Sequence, residues 1–276
     1  MKADLHSHST VSDGLLAPTA VAQRAHANGV TMWALTDHDE VGGLAEAAQA
    51  ATALGMQFIP GVEVSVTWLN KTVHIVGLNI DYERVELQDA LRYVRSGRVQ
   101  RSQEMAQALA QLGIEGALAG AESLATNPEL VSRTHFARFL LAEGHCTSIQ
   151  QVFDKYLGEG CPAFVPMQWA HLENAVRWIH EAGGVAVIAH PGRYDFSPLQ
   201  FDALFDRFKE LGGEGIEVVT GSHRPDQYQQ YAQIAKRYDF EASMGSDFHG
   251  FVDGRIDLGG LPPLPSGLRP IWQRWV

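Results

Sequence analysis

Cysteine is scarce in this chain of 276 residues, which contains only Cys146 and Cys161 and no C-x-x-C motif. Structural disulfides and thiolate zinc sites are therefore not expected, and isolated thiols suit a reducing compartment. No apolar run approaches the ~20 residues that cross a bilayer, and no apolar segment precedes the first polar motif. We expect a cytoplasmic protein that makes no contact with membranes.

Basic residues are also in the minority, because 21 lysines and arginines face 32 aspartates and glutamates, for a net charge of −11. A surface of this charge repels long polyanions, so long nucleic acid is not an expected partner. A small phosphorylated substrate remains compatible, because bound metal ions would supply local positive charge. The composition does not predict an oligomeric state.

Short apolar strand patterns alternate with helical patterns at both ends of the chain, over residues 3–77 and again over residues 172–244. Such alternation predicts parallel strands joined by helices. Between them lie helical patterns at residues 85–112, 133–143 and 149–157, without a convincing strand. The prediction is an α/β fold, a barrel of residues 1–99 and 167–276 interrupted by a helical insertion of residues 100–166. About seven strands are counted, which indicates a distorted barrel rather than a regular eightfold one.

Histidine and carboxylate side chains recur where the predicted strands end. The first examples are His6 and His8, which as residues two apart on an extended strand point to the same face. A lone histidine is usually a packed or solvated residue, so the recurrence carries the argument. The whole set consists of His6, His8, Asp13, His38, Glu63, His74, His190, Asp247 and His249. Because reactive groups of such barrels gather at the carboxyl ends of strands, we predict one site for divalent metal ions.

This ordered series resembles the polymerase and histidinol phosphatase (PHP) family. The segments Asp4-Leu5-His6-Ser7-His8, Leu35-Thr36-Asp37-His38-Asp39 and Ala189-His190-Pro191-Gly192, together with a helical insertion, are similar to the family's TrpH-like branch. The resemblance implies a distorted seven-stranded β/α barrel that holds two or three divalent cations. Members of the branch include a phosphatase of nucleoside 3',5'-bisphosphates and an RNase acting on short RNA from its 5' end.

The resemblance also implies an assignment of ligands to ions. His6, His8, Glu63 and Asp247 would hold one cation, and Glu63 would bridge to a second cation held with His74 and His190. A third cation would be held by Asp13, His38 and His249. A mixed set of nitrogen and oxygen ligands suits manganese, iron or zinc better than magnesium or calcium, and we expect manganese.

The implied activity is removal of the 3'-phosphate from a nucleoside 3',5'-bisphosphate, for example adenosine 3',5'-bisphosphate to AMP and phosphate. A hydroxide bridging the metals would be the nucleophile. The residues expected to carry the reaction are His6, His8, Glu63, His190 and Asp247.

A second phosphate on the substrate calls for arginine or histidine away from the metal ligands. Arg133 and His135 lie in the insertion where a helix is predicted to begin, and Arg193 follows His190 closely. His223 and Arg224 follow the predicted strand at residues 215–219. We name Arg133, His135, Arg193 and His223 as candidate substrate contacts, with a solvated surface cation as the ordinary alternative for each.

Other functions remain open at this point. The same metals could serve a 5'-to-3' exoribonuclease acting on short 5'-phosphorylated RNA, or a phosphatase of histidinol phosphate. Amidohydrolases also open with H-x-H on a barrel, but they commonly carry a bridging lysine in mid-barrel and end on a single aspartate, unlike Glu63 and Asp247-x-His249 here. A metal-binding module without catalysis is the alternative from outside the enzymes.

Overall fold

The computed structural model describes residues 1–251 and 255–276, and across these ranges seven strands form one sheet in sequence order. The strands are β1 (Ala3–Asp4), β2 (Met32–Leu35), β3 (Gln57–Trp68), β4 (Lys71–Leu78), β5 (Val185–Ile188), β6 (Gly215–Thr220) and β7 (Glu241–Gly245). The helices of the described residues are α1 (Pro18–Ala27), α2 (Leu44–Ala53), α3 (Val85–Gln111), α4 (Ala117–Ser123), α5 (Arg133–Ala142), α6 (Ile149–Val152), α7 (Leu172–Glu181), α8 (Pro198–Glu210) and α9 (Pro225–Tyr238). None of them is both long and apolar enough to cross a bilayer.

The sheet curls until its first and last strands meet. The Leu5 N–H donates to the Met244 carbonyl at 3.0 Å, and the Asp247 N–H donates to the His6 carbonyl at 2.9 Å. All neighbouring strands are parallel except β4, which pairs antiparallel with both β3 and β5. This reversed strand distorts the barrel, and the seven-stranded distorted α/β barrel predicted from the sequence is confirmed.

The strands bury both of their faces. Along β2, Met32 and Ala34 belong to one buried cluster, whereas Trp33 and Leu35 belong to another that includes helix residues. Because side chains alternate along a strand, one cluster fills the barrel and the other packs the helices outside it. Ile271 of the tail joins the inner cluster and is fully buried. Burial on both faces explains why the strand sequences are continuous apolar runs.

The chain divides into two units, Met1–Leu91 with Trp169–Val276, and Arg92–Gln168. The first division therefore falls inside α3, earlier than the sequence-based boundary at residues 99 and 100. It falls there because Leu91 is the last residue of α3 that packs in the barrel core. The sequence does not reveal this boundary, because the helix continues past it without a break.

The second unit is helical and has its own apolar core, with Leu109 of α3 and Phe136 of α5 among its fully buried members. Helix α4 was not expected from the sequence, because its residues are mostly small and show little apolar periodicity. The predicted helix at residues 149–157 is α6 followed by a wider π-helical turn at Phe153–Leu157.

Candidate metal centre

All nine predicted ligands gather at one end of the barrel. His6 and His8 follow β1, His38 follows β2, and Glu63 lies within β3, where it forms a parallel bridge with His38. His74 lies near the start of β4, which runs in the opposite direction to its neighbours. It therefore reaches the same end, and its carbonyl accepts the Ala189 N–H at the end of β5 at 3.1 Å.

Glu63 is the centre of this group, and its side chain is fully buried. One oxygen, Oε1, lies 2.9 Å from His74 Nδ1 and 2.9 Å from His190 Nε2. The other, Oε2, lies 2.8 Å from His38 Nδ1. Ring nitrogens within 3.4 Å of the carboxylate belong to His6, His8, His38, His74 and His190. The two oxygens thus face different histidines, as a carboxylate bridging two cations requires.

Asp247 and Asp13 extend the group on either side of His8. Asp247 Oδ1 lies 3.3 Å from His8 Nε2 and 3.6 Å from His6 Nε2. Asp13 Oδ1 lies 3.3 Å from His249 Nε2, and the rings of His8 and His249 stack with centroids 4.0 Å apart. The ligand atoms form one continuous constellation.

Four overlapping groups of side chains could each hold a cation, with their ligand atoms within 4.8 Å of one another. They are His8–Asp13–His38–His249, His6–Glu63–His190, His6–His8–Asp247 and His38–Glu63–His74. Among the described residues, Glu63 Oε2 and Asp247 Oδ1 are buried atoms that accept no hydrogen bond of acceptable geometry. Buried carboxylate oxygens in that state are costly unless a cation binds them, so the donor set fits divalent metal ions.

The electrostatics of the centre also favour cations. Burial alone would lower the pKa of His8, but the carboxylates of Asp247 and Glu63 raise it to about 10. Burial and the charge of Arg193 lower the pKa of His190 to about 3. A cation bound by His8 would have to displace the proton that this raised pKa favours.

Residues 4–157 match the family model described as the PHP domain. The chain belongs to the PHP domain family. Two relatives align over almost the whole chain. A 3',5'-nucleoside bisphosphate phosphatase from Chromobacterium violaceum is 50% identical over 98% of this chain and 95% of its own length. The 5'-3' exoribonuclease Rnm of Escherichia coli is 42% identical over 99% of this chain and 93% of its own length.

Solved structures show the same fold. One described as an amidohydrolase from Chromobacterium violaceum, with bound sulfate and no metal, has a TM-score of 0.96 at 48% identity and covers 99% of this chain and 95% of that one. Another, described as a metal-dependent phosphoesterase from Bifidobacterium adolescentis, has a TM-score of 0.82 at 25% identity and covers 98% of this chain and 92% of that one.

The PHP barrel holds its ligand loops by buried carboxylates that are not themselves in the predicted ligand set. Asp37 accepts the Ser9 N–H at 2.8 Å and the Ser12 hydroxyl at 2.6 Å, which fixes the turn leading to Asp13. Asp39 accepts the Ser65 N–H at 2.7 Å. These contacts hold the loops after β1 and β2 in place.

Close backbone approach also shapes the centre. A Cβ atom on Gly245 would lie 2.2 Å from His6 Cβ, so only glycine allows β7 to pass so near β1. His190 has φ of +25° and Asp247 has φ of +55°, in a region that non-glycine residues seldom adopt. Such conformations persist only where the surroundings hold them.

Two residues that contact the ligands were missed by the sequence reasoning. Tyr194 donates its hydroxyl to the Ala189 carbonyl and accepts the His74 N–H, both at 2.9 Å. Glu217 contacts both His6 and His190. The sequence did offer a sign that Glu217 is functional, because it is the one charged residue in the otherwise uncharged strand sequence GIEVVT.

Of the candidate substrate contacts in the barrel unit, Arg193 lies beside the centre, with Nη1 2.9 Å from Asp247 Oδ2 and the side chain partly exposed. His223 is buried, and its ring is engaged at both nitrogens. Nδ1 donates to the Val218 carbonyl at 3.1 Å, and Nε2 accepts the Gly192 N–H at 2.9 Å. Burial lowers the pKa of His223 to about 4, in keeping with this neutral tautomer.

The other two candidates lie in the helical unit, at the start of α5. Arg133 lies over the rings of Phe153 and Phe164, 5.7 Å from each centroid. His135 is buried, and its Nδ1 accepts the Ser132 N–H at 3.0 Å as part of the helix cap.

Two further arginines of the helical unit, Arg98 and Arg101, are buried on α3. Burial, followed by the positive charges of Arg133 and Arg98, lowers the pKa of Arg101 to about 9. This unit therefore concentrates like charge near Arg101.

Proposed function

We propose that this chain is a metal-dependent phosphatase that removes the 3'-phosphate from nucleoside 3',5'-bisphosphates, giving the nucleoside 5'-phosphate and inorganic phosphate. The observation that carries the proposal is Glu63, a buried carboxylate within 3.4 Å of five histidine ring nitrogens at one end of the barrel. Support for the substrate comes from the phosphatase of that name, which is 50% identical over 98% of the chain.

Two or three divalent cations, preferably manganese with iron or zinc as alternatives, would supply an activated nucleophile and positive charge for the phosphoryl oxygens when bound. His6, His8, Glu63, His190 and Asp247 would hold the ions closest to the reaction. The third ion would be held by Asp13, His38 and His249. His6, His8, Glu63, His190 and Asp247 are buried, which strengthens their electrostatic effect.

Among the candidate substrate contacts of the barrel, Arg193 contributes a fixed positive charge next to Asp247. His223 would have to release a backbone hydrogen bond before it could contact substrate, so it ranks below Arg193.

The insertion, predicted as residues 100–166, is proposed to recognise the second phosphate through Arg133 and His135. Burial first, and the positive charges of Arg133 and Arg98 second, lower the pKa of Arg101, and a bound anion would offset the second cause. Arginine also suits phosphate through paired N–H donors in a fixed plane.

The test is a panel of phosphorylated metabolites incubated with protein that has been stripped by chelation and then reloaded with one metal at a time. We expect phosphate release from nucleoside 3',5'-bisphosphates to disappear on stripping and to return best with manganese. Histidinol phosphate and simple aryl phosphates should be poorer substrates. Activity that survives complete metal removal contradicts the proposal, and a fully loaded protein that is inactive on every ester would favour a non-catalytic metal-binding module.

A 5'-to-3' exoribonuclease is the second candidate, and the Escherichia coli relative of that name favours it. The net charge of −11 argues for short rather than long RNA. Comparing kcat/KM for a mononucleotide bisphosphate with that for a short 5'-phosphorylated RNA ranks the two activities. Both activities are compatible with the cytoplasmic location that we propose from the scarcity of cysteine. Neither activity requires a membrane or long nucleic acid.

A further inference from the structure

Glu217 joins two candidate metal ligands from outside the ligand set. Its Oε1 lies 2.8 Å from Nδ1 of His6, and its Oε2 accepts the backbone N–H of His190 at 2.6 Å. One carboxylate therefore contacts the ring of the first ligand and the main chain of the second, with a separate oxygen for each. All three residues are at most 1% exposed.

The strand places this carboxylate inside the barrel. Gly215 lies two residues earlier on β6, and a Cβ atom there would meet Ile271 and Val187, which belong to the cluster inside the barrel. Since residues two apart share a face, Glu217 points inward as well. A register shift between Glu217 and Val219 interrupts the pairing of β6 with β7 at this point. Bulges of this kind re-aim side chains near functional sites.

The contact with His6 determines which ring nitrogen can bind a metal. A carboxylate accepts hydrogen bonds only, so it keeps the proton of neutral His6 on Nδ1. The other nitrogen, Nε2, faces the remaining ligands, 3.4 Å from Glu63 Oε1 and 3.6 Å from Asp247 Oδ1. Carboxylates that accept the second N–H of a ligating histidine fix its tautomer and ring orientation.

The contact with His190 acts on the backbone instead. His190 has φ of +25°, and its Nε2 nevertheless lies 2.9 Å from Glu63 Oε1. The bond from its N–H to Glu217 helps to hold this unfavourable conformation, which aims the ring at Glu63.

We propose that Glu217 is a positioning residue of the metal centre, which sets the tautomer of His6 and the backbone of His190 through one carboxylate. The inference concerns cation binding, so it stands whether or not the proposed phosphatase substrate is correct. It predicts a selective effect. The groups His6–Glu63–His190 and His6–His8–Asp247 depend on Glu217, whereas the group His8–Asp13–His38–His249 contains neither of its partners.

The deciding variant is Glu217→Gln, which preserves size but replaces one acceptor oxygen by an NH₂ donor. If the amide oxygen faces His190 N–H, the NH₂ group faces His6 Nδ1 and moves its proton to Nε2. If the amide is reversed, NH₂ meets the His190 N–H, donor against donor. Either orientation damages one ligand, so we expect the affinity of the cations held by His6 and His190 to fall about 10- to 100-fold.

Glu214→Gln is the matched control. Glu214 Oε2 likewise lies 3.1 Å from a histidine ring nitrogen, Nε2 of His180, and accepts a backbone N–H, from Ala186, at 2.9 Å. Neither of these partners is a candidate metal ligand. We expect Glu214→Gln to bind cations like the wild type.

The measurement is competition with a chromophoric chelator, for zinc and for manganese separately, on stripped protein whose fold is checked by circular dichroism. We expect Glu217→Gln to weaken the sites that contain His6 or His190 and to leave the site formed by His8, Asp13, His38 and His249 unchanged. Wild-type affinities in a folded Glu217→Gln protein would overturn the proposal. Equal weakening of all classes would also overturn it, since that result indicates a general loss of structure or charge.

Glu217→Asp separates geometry from charge and serves alone if Glu217→Gln does not fold. The shorter side chain keeps the negative charge but cannot span both partners. We expect Glu217→Asp to weaken the same sites as Glu217→Gln. Wild-type cation affinity in Glu217→Asp would mean that only the charge of Glu217 matters, and it would overturn the proposal that Glu217 positions His6 and His190.

Discussion

The two units of the chain bury charge in opposite ways. In the barrel unit, Glu63 and Asp247 are buried among histidines, and these contacts hold the pKa of each carboxyl well below its usual range. In the helical unit, Arg98 and Arg101 are buried with Arg133 nearby, and the like charges add to burial in lowering the pKa of Arg101. The first arrangement has the donor set of a cation site, whereas the second brings positive charges close together.

Burial alone therefore does not specify the chemistry of an ionisable side chain. A buried ionisable group is costly in either unit, so its surroundings decide which partner it requires. Several carboxylates clustered with several imidazoles suit metal ions, and guanidinium groups pair well with phosphate. Variants in each unit test whether it has the property that its charges indicate.

The largest effect is expected from Glu63→Gln in the barrel unit. The amide cannot bridge two cations, and its NH₂ group opposes histidine nitrogens that need an acceptor or a metal. We expect kcat/KM on a nucleoside 3',5'-bisphosphate to fall at least about 10²- to 10³-fold, a loss of several kcal/mol. Metal content measured by mass spectrometry should fall in parallel. Glu214→Gln is the control and should keep both its metal and its activity. A Glu63→Gln protein that kept both would contradict the central place of Glu63.

In the helical unit, Arg133→Ala tests anion recognition. A charge-assisted hydrogen bond contributes about 1.5–3 kcal/mol, so we expect KM for the bisphosphate to rise about 10- to 100-fold. KM for an aryl phosphate, which lacks the second phosphate, should change little. Arg133→Met keeps the contact with Phe153 and Phe164 and should show the same split.

Arg177→Ala is the control for the arginine variants. This exposed arginine pairs with Glu181 on α7, and its loss should leave both KM values unchanged. If Arg133→Ala raises KM equally for both substrates, Arg133 does not recognise the second phosphate.

A pH effect is expected from His223 in the barrel unit. Its pKa is about 4 in the folded protein against 6.5 ordinarily, so the unfolded chain takes up the proton first as the pH falls. The low pKa of His223 therefore contributes to the free energy of unfolding. This contribution is complete above pH ~6.5 and is lost progressively toward pH ~4, by about 2 kcal/mol at pH 5.

Urea unfolding of metal-free protein at pH 7 and pH 5 measures this loss. His223→Gln lacks the titrating ring, so its free energy of unfolding should depend less on pH than that of the wild type over this interval. Parallel changes in both proteins would show that His223 is not kept neutral by burial.

The smallest effect is expected from Ser132→Ala in the helical unit. The Ser132 hydroxyl accepts the Thr134 N–H at 3.1 Å as the N-cap of α5, and loss of such a cap costs about 1 kcal/mol. Hydrogen exchange at the Thr134 amide should accelerate. Ser123→Ala removes a hydroxyl that bonds the Gly120 carbonyl within α4 and should not affect it. Unchanged protection of Thr134 would contradict the cap.

The barrel could be predicted from the sequence because its strands and most of its ligands leave local patterns. Apolar runs such as the one ending at Leu35 are followed directly by histidine and acidic residues, as in Thr36-Asp37-His38-Asp39. Helix α4 left no such pattern, because a short segment of small residues becomes helical only through packing on its neighbours. The division inside α3 was likewise invisible, since one continuous helix carries both sides of it.

The local sequence by itself determined which side chains occupy the strand ends and which residue types they are, since periodicity and composition act over a few residues. Only the tertiary structure decided which of them touch. Glu217 contacts His6 across 211 positions of sequence, and Gly245 lies against the same histidine because β7 closes on β1. Such contacts arise from barrel closure, which depends on long-range strand pairing and leaves no local pattern in the chain.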